Sequence, residues 1–282
     1  MAVQQRNGRI NSGDVSLFYR AFGSPGATPI IILHGSNYYD SYDWIGVASA
    51  LAIDREVVVH DKRGWGESTW SPSKDYSYDA ALDDALAVVG AMKWTSKVIV
   101  MGHSGGGPPS ISFAVNFADR TSKLVLVDSQ MNRDESARSG SSIGNPPLVF
   151  PSIEAAMANF AKLNNPPRFG LDRERAVHAL VKVENGYMLK RDPDNANRKP
   201  IGEGASLPRR PVREMWAELA MVKVPTIVVR GLQSDRYPPA TVERLTKEYP
   251  QIIQATVDSQ HDVARMAPDA LVAHVRKFIG TA

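Results

Sequence analysis

Ser104 lies in the stretch GHSGG, which directly follows the apolar run VIVM. The pattern G-x-S-x-G between a strand and a helix is typical of a strained turn that lifts a serine hydroxyl above the edge of a sheet. Gly102 and Gly106 leave room for strand and helix to cross closely. Pro108 and Pro109 suit the first turn of a helix, where backbone amides have no intrahelical partner. We therefore predict that Ser104 is a nucleophile.

A phosphate-binding loop is the alternative interpretation of this glycine-rich stretch. The stretch lacks the Gly-Lys-Ser/Thr ending of a nucleotide phosphate loop. It also lacks the spaced G-x-G-x-x-G of dinucleotide-binding folds. The nucleophile turn is the interpretation that the residues favour.

A serine hydroxyl attacks efficiently only when a base takes its proton and a third group orients that base. The chain has six histidines. His261 lies in DSQHDVARMAPDA, after the last apolar run and before the last helical pattern. This places His261 in a loop at the carboxyl edge of the predicted sheet, within reach of Ser104, so we predict that His261 is the base.

Two aspartates are candidates for the orienting acid. Asp235 follows a strand-like run in VVRGLQSDRYPP, and Asp128 ends the run LVLVD. Both positions fit the chain order of nucleophile, acid and histidine. We predict Asp235 as the acid and keep Asp128 as the alternate.

Short apolar runs alternate with helical patterns along most of the chain. Several runs are continuous in Val, Ile and Leu, which is typical of strands buried on both faces of a mainly parallel sheet. Helical spacing recurs in YDAALDDALAVVGAMK, TVERLTKEY and PDALVAHVRKFI. The alternation predicts an α/β fold with a doubly wound sheet.

The alternation stops between about Met131 and Val222. Helical patterns lie at Ile153–Leu163 and Arg173–Val183, among stretches rich in turn-forming residues. We interpret residues 131–222 as a helical cap inserted before the last two strands. The core domain is then formed by residues 1–130 and 223–282.

Composition narrows the classes of function. The chain has 282 residues, a net charge of +3 and no cysteine, which excludes disulfides and a cysteine nucleophile. Basic residues are scattered, and no apolar run reaches the length of a membrane span. We expect a cytoplasmic protein with a small-molecule substrate and no nucleic-acid partner, membrane, metal or cofactor. The sequence leaves open whether the protein is a monomer or a homodimer.

Five motifs in order, LHGSN, DKRGWGES, GHSGG, GLQSDRYPP and the His261 loop, resemble the soluble, cap-bearing α/β-hydrolase superfamily. The resemblance spans about Gly8 to Ile279 and implies a mostly parallel eight-stranded sheet. It also implies an oxyanion hole formed by the backbone amides of Ser36 and Gly105. By the same resemblance, Asp61 and Arg63 hold a turn and take no part in catalysis.

The resemblance implies a substrate pocket beneath the cap. The residues that we predict to line it are His34, Asn37, Tyr38, Trp65, His103, Met131 and Trp216. Aromatic and apolar neighbours favour an apolar substrate with one reactive carbonyl. The predicted function is hydrolysis of a small carboxylic ester or lactone. C–C bond hydrolysis, perhydrolysis and a ligand receptor with little turnover are the alternatives.

Overall fold

Eight strands form the main sheet of the computed structural model, which describes residues 3–36, 40–129, 149–162, 172–196 and 214–280. The order across the sheet is β1-β2-β4-β3-β5-β6-β9-β10. These strands are β1 (Gln5–Ser12), β2 (Val15–Phe22), β3 (Ala27–Leu33), β4 (Arg55–His60), β5 (Val98–His103), β6 (Thr121–Val127), β9 (Thr226–Gly231) and β10 (Ile253–Val257). β1 and β2 pair antiparallel, β2 pairs antiparallel with β4, and the remaining pairs are parallel. The predicted α/β fold with a mostly parallel eight-stranded sheet is confirmed.

Helices cover both faces of the sheet. Their bounds are α1 (Ile45–Leu51), α2 (Tyr78–Ala91), α3 (Gly107–Asn116), α4 (Ile153–Lys162), α5 (Arg173–Ala179), α6 (Met215–Ala220), α7 (Pro239–Glu248), α8 (Val263–Met266) and α9 (Pro268–Ile279). One apolar layer joins the sheet to α2, α3, α6 and α7, and the other joins it to α1, α8 and α9. Successive side chains of β3 point to opposite faces of the sheet. Ile31 and Leu33 lie in the layer with α2 and α3, and Ile30 and Ile32 lie in the layer with α1 and α9.

The segment between β6 and β9 contains α4, α5 and a two-stranded antiparallel hairpin. The hairpin strands are β7 (Leu180–Val183) and β8 (Gly186–Leu189). The prediction of a helix over Arg173–Val183 is wrong in its last turn, because the helix ends at Ala179 and β7 begins. α4, α5 and the hairpin share a small apolar cluster that includes Phe150, Phe160 and Leu189.

The segment also includes α6, which packs against α3 of the core layer. The division into a core and a cap at residues 131–222 stays a prediction. Among the described residues, no helix combines the length and the apolar character needed to cross a bilayer.

The parallel strands bring three chain segments to one edge of the sheet. Ser104 follows β5, Asp128 follows β6, and His261 lies in the loop after β10. Side chains at the carboxyl ends of parallel strands meet at such an edge, which is where open α/β sheets bind ligands.

Candidate active site

Ser104 lies on a strained turn between β5 and α3. Its φ is +49°, in the left-handed region that side-chain-bearing residues rarely adopt. A Cβ on Gly102 would lie 2.3 Å from the Ser110 hydroxyl, and one on Gly106 would lie 2.1 Å from the Leu33 carbonyl oxygen. Both positions therefore require glycine. The turn holds Ser104 above the end of β5, as a nucleophile turn requires.

A continuous hydrogen-bonded chain joins Ser104, His261 and Asp128. The Ser104 Oγ lies 2.8 Å from His261 Nε2, and His261 Nδ1 lies 2.5 Å from Asp128 Oδ2. With its proton on Nδ1, the imidazole donates to the carboxylate and accepts from the serine hydroxyl. This is the geometry in which a histidine can remove a serine proton while a carboxylate fixes its tautomer.

Asp128 is completely buried and is held by donors from the last residue of β9 and from the loop that follows it. The Gly231 amide donates to its Oδ1 at 3.0 Å, and the Ser234 hydroxyl donates to its Oδ2. Burial raises the pKa of Asp128 to about 6, while the hydrogen bonds from Ser234 and Gly231 act to lower it. Asp128 also has a positive φ, of +43°, so the chain is turned sharply to present this carboxylate.

The prediction that Asp235 orients His261 is wrong, because Asp128 occupies the position beside His261 Nδ1. The Asp235 side chain is 41% exposed, and its carboxylate lies 3.3 Å from the Arg236 guanidinium. The loop after β9 still belongs to the site, because its Ser234 hydroxyl donates to Asp128, as does the amide of Gly231 at the end of β9.

His103, predicted to line the pocket, lies beneath the His261 loop. It is 2% exposed, and its Nε2 donates to the His261 carbonyl oxygen at 3.0 Å. The two imidazole rings lie 4.9 Å apart between centroids. Burial, together with the nearby His261, lowers the pKa of His103 to about 3, so the ring is neutral and supports the backbone of the His261 loop.

The turn after β3 places Ser36 beside Gly105. His34 is fully buried, and its ring donates from Nδ1 to the Gly35 carbonyl and accepts from the Lys62 amide. A Cβ on Gly105 would lie 2.2 Å from the Ser36 hydroxyl and 3.5 Å from the Ser36 amide nitrogen. The two predicted oxyanion donors therefore lie next to each other, beside the serine.

The Asp61 and Arg63 side chains hold the turn after β4. Asp61 accepts from the amides of Ser41 and Glu67, at 2.7 and 2.8 Å. Arg63 makes a bidentate contact with Asp84 on α2, at 2.8 and 2.7 Å. Both sets of contacts are those of residues that maintain the turn, as the resemblance implies.

The two predicted pocket tryptophans are buried by protein. Trp65 is 4% exposed and meets Tyr76 edge to face, at 6.4 Å between ring centroids. Trp216 is 2% exposed and packs on Tyr249 at 5.4 Å, in the layer of α3 and α7. Trp216 therefore belongs to the hydrophobic core, because its ring is covered by other side chains and is not accessible to a ligand. The predictions for Asn37, Tyr38 and Met131 lie outside the described residues.

The structure also shows a cavity of about 380 Å³, lined by residues that include Tyr42, Asp43 and Arg265. It lies at the junction of α1, α8 and the loop before α5, and no residue of the hydrogen-bonded chain lines it. Within the described ranges, no group of three or more histidine or acidic side chains is placed to hold a metal ion.

Comparison with known proteins identifies the family. The family model of the alpha/beta hydrolase fold matches residues 28–264. The chain therefore belongs to the alpha/beta hydrolase fold family, and it is a hydrolase. The resemblance inferred from the sequence motifs is confirmed.

Individual relatives are distant. The chain is 24% identical to Lipase 1 of Psychrobacter immobilis, over 86% of this chain and 73% of that protein. It is 27% identical to the non-heme chloroperoxidase of Burkholderia pyrrocinia, over 77% of this chain and 78% of that protein. Matches to several other curated relatives cover between 32% and 42% of those proteins.

Among solved structures, E-2-(acetamidomethylene)succinate hydrolase superposes with a TM-score of 0.80 at 19% identity. That match covers 98% of this chain and 99% of the other, and at this identity it shows a shared fold.

Two residues of the site are not predicted from the sequence. Ser234 has no charge, whereas the neighbouring Asp235 carries the charge that an orienting acid needs. Lys62 lies in the DKRGWGES turn, and its ammonium lies 3.3 Å from the Ser36 hydroxyl. A lysine two residues after the last residue of β4 is the signal in the sequence.

Proposed function

We propose that the protein is a serine hydrolase that cleaves a small carboxylic ester or lactone through an acyl-enzyme on Ser104. The observation that supports this most strongly is the unbroken hydrogen-bonded chain from Ser104 through His261 to buried Asp128. No other arrangement in the described residues unites a hydroxyl on a strained turn, a base and an orienting carboxylate.

In the first half of the reaction, His261 Nε2 takes the hydroxyl proton as Ser104 Oγ attacks the carbonyl carbon. The negative charge passes to the carbonyl oxygen, where the amides of Ser36 and Gly105 donate hydrogen bonds. Such donors matter most for developing charge, and the loss of one costs about 100- to 1,000-fold in rate. Asp128 stabilises the imidazolium that has formed.

The tetrahedral intermediate then collapses. The bond to the leaving alkoxide breaks, and His261 gives it the proton taken from Ser104, which leaves the acyl group on the serine. A water molecule then attacks the acyl carbon, with His261 taking its proton. The bond between the acyl carbon and Ser104 Oγ breaks, His261 gives the proton to the serine oxygen, and the acid is released. The serine proton that left with the alcohol is thus replaced by one from water, and the enzyme is regenerated.

The relatives support this assignment. One relative is named as a lipase and one solved structure as a hydrolase, and both align over most of their length with this chain. The strained φ of Ser104 supports it too, because a strained turn persists only where surrounding structure holds it in place.

The test is turnover of p-nitrophenyl acetate and p-nitrophenyl butyrate by the purified chain and by Ser104→Ala. We expect Ser104→Ala to lower kcat by at least about 1,000-fold, since the loss of a triad nucleophile leaves only binding and the oxyanion donors. Ser24→Ala, at an exposed serine, is the matched control and should retain full activity. Slow hydrolysis that is equal in all three proteins would contradict the proposal, and tight ligand binding without turnover would favour a receptor.

A further inference from the structure

Lys62 ties an ammonium group to the turn that contains Ser36. Its backbone amide donates to His34 Nε2 at 2.9 Å, and its Nζ donates to the Ser36 hydroxyl at 3.3 Å. The residue is 8% exposed, although lysine is rarely buried to this degree. Both the backbone and the side chain of Lys62 are therefore bonded to the turn that contains His34 and Ser36, which we call the oxyanion turn.

An aromatic ring helps to hold this charge in place. The Lys62 Nζ lies 4.3 Å from the centroid of the Trp65 ring, within the range of a cation–π contact. Trp65 is itself held by Tyr76, edge to face. The ammonium is thus positioned by a rigid neighbour and has a defined place beside the turn.

The positive charge acts on the turn. Burial lowers the pKa of His34 well below its ordinary value, and the next largest cause is Lys62. Lys62 also contributes, after burial, to the lowered pKa of His60. A group with a negative charge would meet the opposite, favourable effect at the same place.

The Ser36 hydroxyl contacts both the Lys62 ammonium and Gly105. A Cβ on Gly105 would lie 2.2 Å from that hydroxyl oxygen, so the two residues are in direct contact. Gly105 directly follows Ser104, so a substrate bound at Ser104 lies close to the ammonium. The adjacent Arg63 points elsewhere, because Asp84 holds it in a bidentate pair.

We propose that Lys62 binds a carboxylate of the substrate and that the enzyme prefers esters whose acyl chain ends in a carboxylate a few bonds from the scissile carbonyl. Half-esters of short dicarboxylic acids and lactones bearing a carboxylate belong to this class. An ammonium has three donors, so its contact with Ser36 is compatible with a second contact to a substrate. This inference rests on the proposed serine hydrolase function and names its substrate class.

The experiment compares two esters that differ in one charge. p-Nitrophenyl butyrate and mono-p-nitrophenyl succinate share a four-carbon acyl chain, and only the second ends in a carboxylate. We expect the wild type to prefer the succinate ester. Lys62→Met should lower the ratio of kcat/KM for the succinate ester to kcat/KM for the butyrate ester by about 10- to 100-fold, the cost of one charge-assisted hydrogen bond, whatever it does to the butyrate value alone.

Two further variants serve as controls. Lys62→Arg keeps the charge and should retain part of the preference, while Lys97→Met removes an exposed lysine that precedes β5 at the opposite end of the strand and should change neither value. The ratio of the two kcat/KM values does not depend on the fraction of folded enzyme, so it is informative even if a variant folds poorly.

An equal loss on both esters, or no loss on the succinate ester, would overturn the inference. A wild type that hydrolyses butyrate and shows no preference for succinate would also overturn it while leaving the serine hydrolase proposal in place. A wild type that hydrolyses neither ester would count against the proposed function itself.

Discussion

Asp128 combines a buried carboxylate with donors that keep it oriented. The Gly231 amide, the Ser234 hydroxyl and His261 Nδ1 all point at it, which uses both of its oxygens. A carboxylate in this setting fixes one tautomer of the histidine, the one with its free lone pair towards Ser104. We propose that Asp128 both orients the His261 ring and stabilises its charged form.

Replacing this carboxylate with an amide should disable His261. We expect Asp128→Asn to lower kcat by about 1,000- to 10,000-fold, because the amide favours the wrong imidazole tautomer. Asp235→Asn is the matched control and should leave kcat nearly unchanged, since that side chain is exposed and lies beside Arg236. Steady-state kinetics on p-nitrophenyl butyrate would measure both, and the reverse ranking would place the acid after β9.

The pH profile gives the same prediction a second readout. Because the pKa of Asp128 is raised to about 6, the wild-type rate should fall as the pH drops through about 6. The apparent pKa of this fall describes the coupled pair of Asp128 and His261, not either residue alone. A carboxyl whose folded pKa lies above its ordinary 3.8 binds a proton more tightly in the folded state, so its protonation stabilises the fold. Circular dichroism over the same range should therefore show that the loss of rate is not caused by protonation-driven unfolding at Asp128.

The sequence singles out Ser104 and His261 as candidates for the nucleophile and the base, but it does not single out the acid. Ser104 is marked by its glycines, and His261 by its place after the final strand. Asp128 and Asp235 both follow strands at the same sheet edge, so spacing alone does not separate them. The choice depends on the sharp turn at Asp128, where φ is +43°, and this appears only in three dimensions.

At the scale of elements, a buried ion group joins α5 to the segment that follows the oxyanion turn. The Arg175 Nε lies 2.6 Å from Asp43 Oδ1, and a terminal guanidinium nitrogen lies 3.5 Å from Asp40. Tyr42 stacks on His178 at 4.0 Å between centroids, and Arg265 of α8 adds a contact to Asp43 at 3.4 Å. These contacts fasten α5 to the residues between β3 and α1.

Removing the buried guanidinium should weaken the fold. We expect Arg175→Met to lower the free energy of unfolding by about 3 kcal/mol, because it leaves buried carboxylates without their main cation. The loss should be smaller at lower pH, where protonation of Asp40 relieves part of it. Burial already raises the pKa of Asp40 to about 7 against the lowering effect of Arg175.

Urea unfolding at two pH values would measure this effect. Arg173→Met is the control on the same helix, because Arg173 is 65% exposed and its pair with Glu154 spans 3.4 Å. An exposed pair of this kind contributes little, so the control should stay within about 0.5 kcal/mol of the wild type. Equal effects of the two substitutions would show that the buried group does not fasten α5.

Strands are predictable from the sequence where most residues of the strand are buried. The runs of β3 to β6 are apolar because both faces are covered, and their positions follow from the sequence. The sequence does not predict β1, because that strand is polar and mostly exposed and no apolar pattern marks it. The helix predicted over Arg173–Val183 includes β7, although Asn185-Gly186 before Tyr187 is a hairpin signal.

At the scale of the whole molecule, the order of the five sequence motifs predicts the alpha/beta hydrolase family, and that family implies a mostly parallel eight-stranded sheet. The order of the strands across the sheet and the burial of Trp216 between α3 and α7 depend on packing between distant segments. The sequence does not predict which aromatic side chains line the pocket, because Trp65 and Trp216 are buried against other protein side chains. The position of a hydrophobic residue in the sequence does not determine the direction in which its side chain points.

The central claim, that Ser104 forms a covalent acyl-enzyme, is tested most directly by fluorophosphonate labelling followed by mass analysis of the tryptic peptide spanning residues 98–120. This reagent bonds to an activated serine and reports the nucleophile without assuming a substrate. The account predicts one adduct, which fragmentation places on Ser104 and not on Ser110 or Ser112 of the same peptide. It also predicts no adduct in folded Ser104→Ala. An adduct on another residue, or labelling that persists in Ser104→Ala, would contradict the account.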